Sequence, residues 1–438
     1  MSEPQNRREF LKAAMLAGTA LPAAAPLLQS SLAAAETKSP NEKLNLGIIG
    51  VAGRGGGNLA GVASENIVAL CDIDASRLAA AGEKFPNAAK YDDYRRVFDH
   101  KNLDGVVVST PDHMHAIPLS VALRNGIAAY CEKPLAHSVF ETNYLRKLTE
   151  ESGAVTQMGN QIHNHSSNNY RRVVETIKAG VIGPVRKVNI WMVGVSHFVA
   201  GVRPKTATVP DGISYDNWIG PAPFRPFHKS HFHFNWRYWW DFGGGQLADF
   251  WCHYSDLPFW ALDLGHPTSV YAIGEKDHDG DNQCPRKMRV EYEFPARGNL
   301  PPVQFTWHHG GYMPEGAEEY GKSSAVLFEG EDGKLLADYT TRKLFMQQGK
   351  EAAPVEPTIP DTIGHHREFI EAIKSNNTNT TCNFRYGSLL AEAGLIGNVS
   401  YRAGQKNLDW DGENARATNC PEADQFIKRD YRKGWKLA

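Results

Sequence analysis

The sequence predicts an α/β chain, with an N-terminal doubly wound parallel sheet and a C-terminal α+β domain on a large, mainly antiparallel open sheet. Three observations carry this. Short continuous apolar runs alternate with helical stretches between residues 43 and 158, a glycine-rich turn follows the first run, and beyond residue 158 the apolar residues change to period two. Of the 438 residues, 42% are hydrophobic, enough for packed cores, and disorder of the whole chain is excluded. The 47 Lys+Arg stand against 49 Asp+Glu without a basic block, which argues against nucleic acid and for a small-molecule partner.

Residues 1–35 read as an export signal. Asn6-Arg7-Arg8-Glu9-Phe10-Leu11-Lys12 precedes a weakly apolar Ala/Gly stretch broken by Pro22 and Pro26, and Ala33-x-Ala35 fits a small-residue cleavage site. The paired arginines resemble a bacterial twin-arginine (Tat) signal, which implies a folded protein delivered to the periplasm without a stable membrane anchor. Six scattered cysteines form no C-x-x-C, so free thiols are expected.

From residue 43 to 158 the pattern is that of a nucleotide-binding domain. Leu44–Ile49, Asn66–Cys71 and Gly105–Ser109 read as buried parallel strands, with helices near 76–84, 117–125 and 138–152. Gly50-Val51-Ala52-Gly53-Arg54-Gly55 directly follows the first strand, so peptide N–H groups at the next helix N-terminus can hold a pyrophosphate, with Arg54 beside them. Asp72 ends the second strand about 20 residues later, where a carboxylate binds ribose hydroxyls and repels a 2′-phosphate; this favours NAD over NADP. Ala52 replaces the middle glycine of the Rossmann fingerprint.

Two further strand ends face the expected crevice. One carries Thr110-Pro111 and His115, the other Glu132-Lys133-Pro134. A Glu-Lys pair closing an apolar strand is poorly explained by packing, although a surface ion pair before a turn proline is the structural alternative. Residues 159–438 form the second domain. Met288, Val290, Tyr292 and Phe294 alternate with charged residues, and Ser324–Phe328 with Lys334–Tyr339 reads as a hairpin.

These residues resemble the Gfo/Idh/MocA family, which includes glucose-fructose oxidoreductase and inositol dehydrogenase. The likeness runs through Gly50–Gly55, Asp72, Thr110-Pro111, Glu132-Lys133-Pro134, Gly159-Asn160-Gln161, Gly183-Pro184-Val185, Gly243–Asp249 with His253, and Asn398–Arg402. Trp218-Ile219-Gly220-Pro221, Asn235-Trp236-Arg237 and Arg432-Lys433-Gly434-Trp435 look like an exported subgroup. The resemblance implies a nicotinamide cofactor, a sugar or cyclitol substrate and a homo-oligomer, dimeric or tetrameric. It assigns His253 as general acid/base, Asp249 as its orienter or a substrate contact, and Lys133 as hydrogen-bond donor to the reacting oxygen. Imidazole titrates near neutral pH and suits proton removal from a secondary alcohol. A helix-capping Asp and a core His are the structural alternative for that pair.

Weaker candidates complete the set. Asn160, Gln161 and His163 are expected to reach the nicotinamide or sugar, with loop capping as the alternative. Trp236, with Trp239 and Trp240, offers an apolar platform for a sugar ring, or plain core packing. His228, His231 and His233 lack a carboxylate or cysteine to complete a metal set, so no metal is expected. The reading is a periplasmic oxidoreductase with tightly bound NAD that oxidises a ring hydroxyl to a ketone. The alternatives are a redox-neutral glycosidase or epimerase acting by transient oxidation, and a non-catalytic sugar-binding protein.

Overall fold

A six-stranded parallel sheet and a nine-stranded, mainly antiparallel sheet build the molecule. The computed structural model describes residues 42–196, 198 and 205–438, and the expected export signal at 1–35 lies outside them. The first sheet comprises β1 (Asn45–Ile49), β2 (Asn66–Cys71), β3 (Ala89–Tyr91), β4 (Gly105–Val108), β5 (Ala128–Glu132) and β6 (Thr156–Gly159), in the order β3-β2-β1-β4-β5-β6. Between them lie α1 (Arg54–Gly61), α2 (Ala75–Lys84), α3 (Ala116–Arg124) and α4 (Val139–Ser152). Strand β4, Gly-Val-Val-Val, is buried throughout, as expected for a parallel strand covered on both faces. The order reverses between β1 and β4, and in such sheets the crevice beyond the strand C-termini at that reversal is the ligand site.

Helix α5 (Asn169–Lys178) and strand β7 (Val185–Met192) open the second half. A long excursion with the short helix α6 (Tyr215–Ile219) then leads to α7 (Gly245–Leu262), β8 (Ser269–Glu275), β9 (Lys287–Phe294) and β10 (Val303–His309). Strands β11 (Ser324–Gly330), β12 (Gly333–Ala337) and β13 (Arg342–Met346) follow; β11 and β12 form the expected hairpin, with Val326 opposite Ala337. Every pairing in this sheet is antiparallel except β7 with β10. The period-two pattern of β9 puts Met288, Val290, Tyr292 and Phe294 inward.

Helix α7 joins the two sheets. Trp251 is wholly buried against Tyr292, Phe305 and Trp307 of the second sheet, while Asp249 and His253, four apart, share another face. The chain then returns to its beginning. Helix α8 (His365–Ser375) inserts Phe369, Ile370 and Ala372 among Leu44, Leu46, Leu59 and Val107, so a distant segment completes the core under the first sheet. Helix α9 (Phe384–Arg402), β14 (Leu408–Asp411), β15 (Arg416–Ala417) and α10 (Asp424–Ile427) finish the fold. Among the described residues no helix is long and apolar enough to cross a membrane.

Candidate active site

A cavity of about 500 Å³ opens at the C-terminal ends of β1, β2, β4 and β5 and is closed from the other side by residues of the 205–242 excursion and by α7. Its glycine loop is shaped for close approach. A Cβ on Gly50 would stand 2.6 Å from the Ser109 carbonyl, and one on Gly55 would stand 2.1 Å from the Gly50 carbonyl. Gly53 holds a φ of 57° and precedes α1, whose first turn has neither a side-chain cap nor an acidic residue. Free N–H groups at an uncapped helix start, on a floor without side chains, fit a dinucleotide pyrophosphate. Ala52 lines the cleft with ordinary negative φ, so the turn's backbone does not require a glycine at that position. Asp72 lines the same cavity and accepts from the Val51 and Asp74 N–H groups at 3.0 and 3.1 Å. Burial raises its carboxyl despite those bonds.

The charged centre sits deeper. Lys133 Nζ donates to the Asp249 carboxylate at 2.7 Å and to the Asp249 carbonyl at 2.5 Å. Arg237 Nε pairs with the other carboxylate oxygen at 3.2 Å, its guanidinium 4.4 Å from the Trp236 ring centroid. Burial pushes the Asp249 carboxyl up, but Lys133 and Arg237 outweigh it and hold the group well below the usual carboxylate range. His253 lines the cavity one helical turn on, and no partner meets its buried Nδ1. Burial, then the nearby Lys133 ammonium, lowers its imidazole to about 3, so it is neutral rather than poised near pH 7 as the sequence implied. Asp249 therefore orients Lys133, not the imidazole. Asp112, 5% exposed, also lines this end, and burial raises it to about 8 against the pull of Arg237 and Lys133.

Thr110, Pro111, Arg54, Glu132, Gln161 and Trp236 all reach the cavity wall. Glu132 is nevertheless turned to its own fold: one oxygen accepts from Gln161 (2.7 Å), Asn58 (2.8 Å) and Arg54 (3.1 Å). It ties α1 to the start of the second half and leaves Lys133 as the group of that motif aimed at the chemistry. Three expected site residues lie elsewhere. His115 meets the Pro134 and Thr110 carbonyls at 2.8 and 2.9 Å and is buried behind the cleft. Asn160 donates to the Cys252 carbonyl at 2.7 Å, a tie to the middle of α7 that is neither a cleft contact nor a loop cap. His163 pairs with Asp256 at 2.9 Å and stacks on Trp260 at 4.1 Å in the core. Asn160 and His163 found buried partners on α7, 92 and 93 residues on, and His115 is held between its own strand end and the Pro134 carbonyl, pairings that local sequence cannot show.

Trp239 packs in the core of the excursion and Trp240 against Arg402, so only Trp236 of the three tryptophans faces the cleft. His231 bonds Tyr215, His228 caps Ser230, and His233 bonds Asp74; they diverge. Sequence reading assigned no site role to Asp112, Tyr94, Asn217, Trp218 or to Arg237 as the clamp on Asp249. Asp112 directly follows the Thr110-Pro111 strand end, and that position was its only signal.

Residues 44–160 match the family described as "Oxidoreductase family, NAD-binding Rossmann fold", and residues 167–437 match "Oxidoreductase family, C-terminal alpha/beta domain". Inositol 2-dehydrogenase of Salmonella typhimurium is 28% identical over 171 residues, 38% of this chain and 49% of that protein. A glycosyl hydrolase family 109 protein of Solibacter usitatus is 29% identical over 193 residues, 41% of this chain and 43% of its own. The chain thus spans about half the length of the curated relatives it matches. Among solved structures, the WlbA dehydrogenase of Bordetella pertussis in complex with NADH and UDP-GlcNAcA superposes with a TM-score of 0.61 at 16% identity, over 84% of this chain and 99% of that one, a likeness of fold.

Proposed function

The chain belongs to the Gfo/Idh/MocA oxidoreductase family, with its NAD-binding Rossmann fold, and from that premise we propose that it oxidises a secondary ring hydroxyl of a sugar, glycoside or cyclitol to a ketone. The observation that carries the proposal is the convergence of Lys133, Asp249 and His253 on the cavity that holds the glycine loop. Bound NAD supplies the hydride acceptor. Lys133 gives two of its three N–H donors to Asp249, which leaves one for the reacting oxygen, and its positive charge stabilises alkoxide character there. His253 is neutral and takes the hydroxyl proton as the carbon loses hydride, the nearby Asp249 charge favouring the imidazolium so formed against burial and Lys133. Arg237 and Lys133 hold Asp249 from both sides, so the donor geometry is fixed before substrate arrives. Trp236 lines the same cavity beneath the Arg237 guanidinium, where its exposed edge meets the sugar ring.

The paired Arg7-Arg8 before an apolar stretch supports export to the periplasm in folded form. A nucleotide loaded before export stays bound and is recycled within the site. The protein works as a homo-oligomer, for which size-exclusion chromatography with light scattering is the check. The partial likeness to a glycosyl hydrolase family 109 protein favours a second reading, in which the same oxidation is transient and ends in glycoside cleavage. Denaturing the purified protein, identifying any released nucleotide, and then screening sugars against its nicotinamide absorbance tests the proposal. A keto sugar two mass units lighter with reduced cofactor supports net oxidation, and cleaved glycoside with cofactor unchanged supports the second reading. Absence of any nucleotide binding sinks both.

A further inference from the structure

Two sequence motifs take no part in this chemistry: Trp218-Ile219-Gly220-Pro221 and Arg432-Lys433-Gly434-Trp435. The fold docks one on the other. Arg432 donates from Nε to the Gly220 carbonyl (3.0 Å), from Nη2 to the Asp216 carbonyl (2.9 Å) and from Nη1 to the Asp216 carboxylate, and its backbone N–H donates to the Pro221 carbonyl (3.0 Å). The same terminal segment is fastened to the nucleotide-binding half. Trp435 lies against Tyr94, 6.2 Å between ring centroids, with the Arg95 guanidinium 5.3 Å from its ring. Arg429 reaches the His113 carbonyl and Glu141, both at 2.7 Å, and Tyr431 donates to Glu141 at 2.6 Å. At the end, the Ala438 N–H donates to Ser120 at 2.9 Å.

What the strap grips is the second wall of the cleft. Asn217 and Trp218 line the cavity together with Asp72, Ile73, Arg77 and Tyr94 of the first half. That wall has its own apolar core, including Tyr215, Trp218, Phe227 and Trp239. It meets the end of β2 through Ser214 N–H to the Ile73 carbonyl (2.8 Å), Ala75 N–H to the Gly212 carbonyl (2.9 Å) and Asn217 Nδ2 to the Asp92 carbonyl (3.0 Å). Gly220, at φ 55°, lies so close to Met114 that a Cβ would stand 2.0 Å from its sulfur, which leaves the wall no slack. A wall carrying its own core moves as a unit, and its anchors then set how often it opens.

We propose that this wall and the C-terminal strap form a clasp that retains the dinucleotide: the end of the cleft at Asp72 is covered by Asn217 and Trp218, and nucleotide leaves only when the Arg432 and Trp435 contacts let the wall swing away. The clasp rests on the NAD reading above and extends it to cofactor retention. Neither Arg432 nor Trp435 lines the cavity, so chemistry at Lys133 and His253 proceeds without them.

The test is the dissociation rate of NADH from the full-length protein, followed by nicotinamide fluorescence after mixing with excess NAD, for wild type, Arg432→Ala, Trp435→Ala and Asp216→Asn. The Asp216 side chain is 73% exposed, which makes Asp216→Asn the variant least able to disturb folding. Release from the Arg432 and Trp435 variants is expected to be about tenfold faster or more, and from Asp216→Asn about two- to fivefold faster. Their melting temperatures with nucleotide removed are expected to fall by a few degrees at most in a chain of this size, and turnover in saturating NAD is expected to match wild type. Unchanged release from folded Asp216→Asn and Arg432→Ala overturns the clasp while NAD binding stands. A wild type that binds no NADH overturns the cofactor reading and the clasp together.

Discussion

At the scale of the residue, Lys133 stood out because a charged pair closing an apolar strand is poorly explained as packing, whereas Asp249 and His253, which alone read as well as a capping Asp and a core His, were singled out by the glycine run before them and the family resemblance; the fold brings all three to one cavity. Their energetics were not legible. The resemblance offered Asp249 as a substrate contact or as the orienter of the imidazole, yet both its oxygens are taken by cations from other elements, Lys133 and Arg237. Lys133→Met is expected to lower turnover by about 10²- to 10⁴-fold while NADH binding, read by fluorescence, stays near wild type; retained turnover removes Lys133 from the mechanism. Asp112 gives a pH signature. Its carboxyl is raised from 3.8 to about 8, so between those values the folded state holds a proton that the unfolded state has lost, and its contribution to stability falls as pH rises through that window. His253, lowered from 6.5 to about 3, acts with opposite sign, favouring the fold as pH rises between those values. Asp112→Asn is therefore expected to be more stable than wild type at pH 8, on the order of 5 kcal/mol, with little difference at pH 4. Thermal melts across that range read this directly, and parallel curves for the two proteins refute it.

Single elements were the most legible scale. Continuous apolar strands, the glycine turn and the period-two pattern of β9 each imply one local geometry, and each formed. The loop gives a paired expectation. In Gly55→Ala the new Cβ meets the Gly50 carbonyl, so the turn must open, and NADH affinity is expected to fall at least about tenfold in equilibrium titration. Gly57→Ala, an exposed mid-helix position with nothing nearer than 3.9 Å, is expected to keep affinity and to gain about 0.5–1 kcal/mol in denaturant melts. Equal affinity in both variants would show that close approach at Gly55 does not matter. The elements that sequence could not place are those whose partners are remote. His163, Asn160 and His115 looked like site residues by position along the chain, and their buried partners Asp256, Cys252 and Pro134 became visible only in the fold.

For the whole molecule, the two-sheet plan was readable from the change of period near residue 158, but the return of the chain was not. Helix α8 carries an ordinary amphipathic pattern, and nothing in it says that Phe369, Ile370 and Ala372 belong under the first sheet rather than the second. The nucleotide-binding half is thus discontinuous in sequence. Residues 43–160 expressed alone are expected to aggregate or to melt without cooperativity, because the apolar surface that receives Phe369 is left in water; removing a buried Phe alone costs about 3–5 kcal/mol. A soluble fragment with a sharp thermal transition contradicts this.

That return also orders events at the ribosome. Synthesis of the first sheet ends near residue 159, yet its missing core helix emerges some two hundred residues later and its outer strap only with Ala438. The pocket wall is accordingly anchored only after residues 432–435 have been made, and under the proposed clasp a chain stalled or clipped before Arg432 keeps its fold's first sheet but leaves that wall untethered.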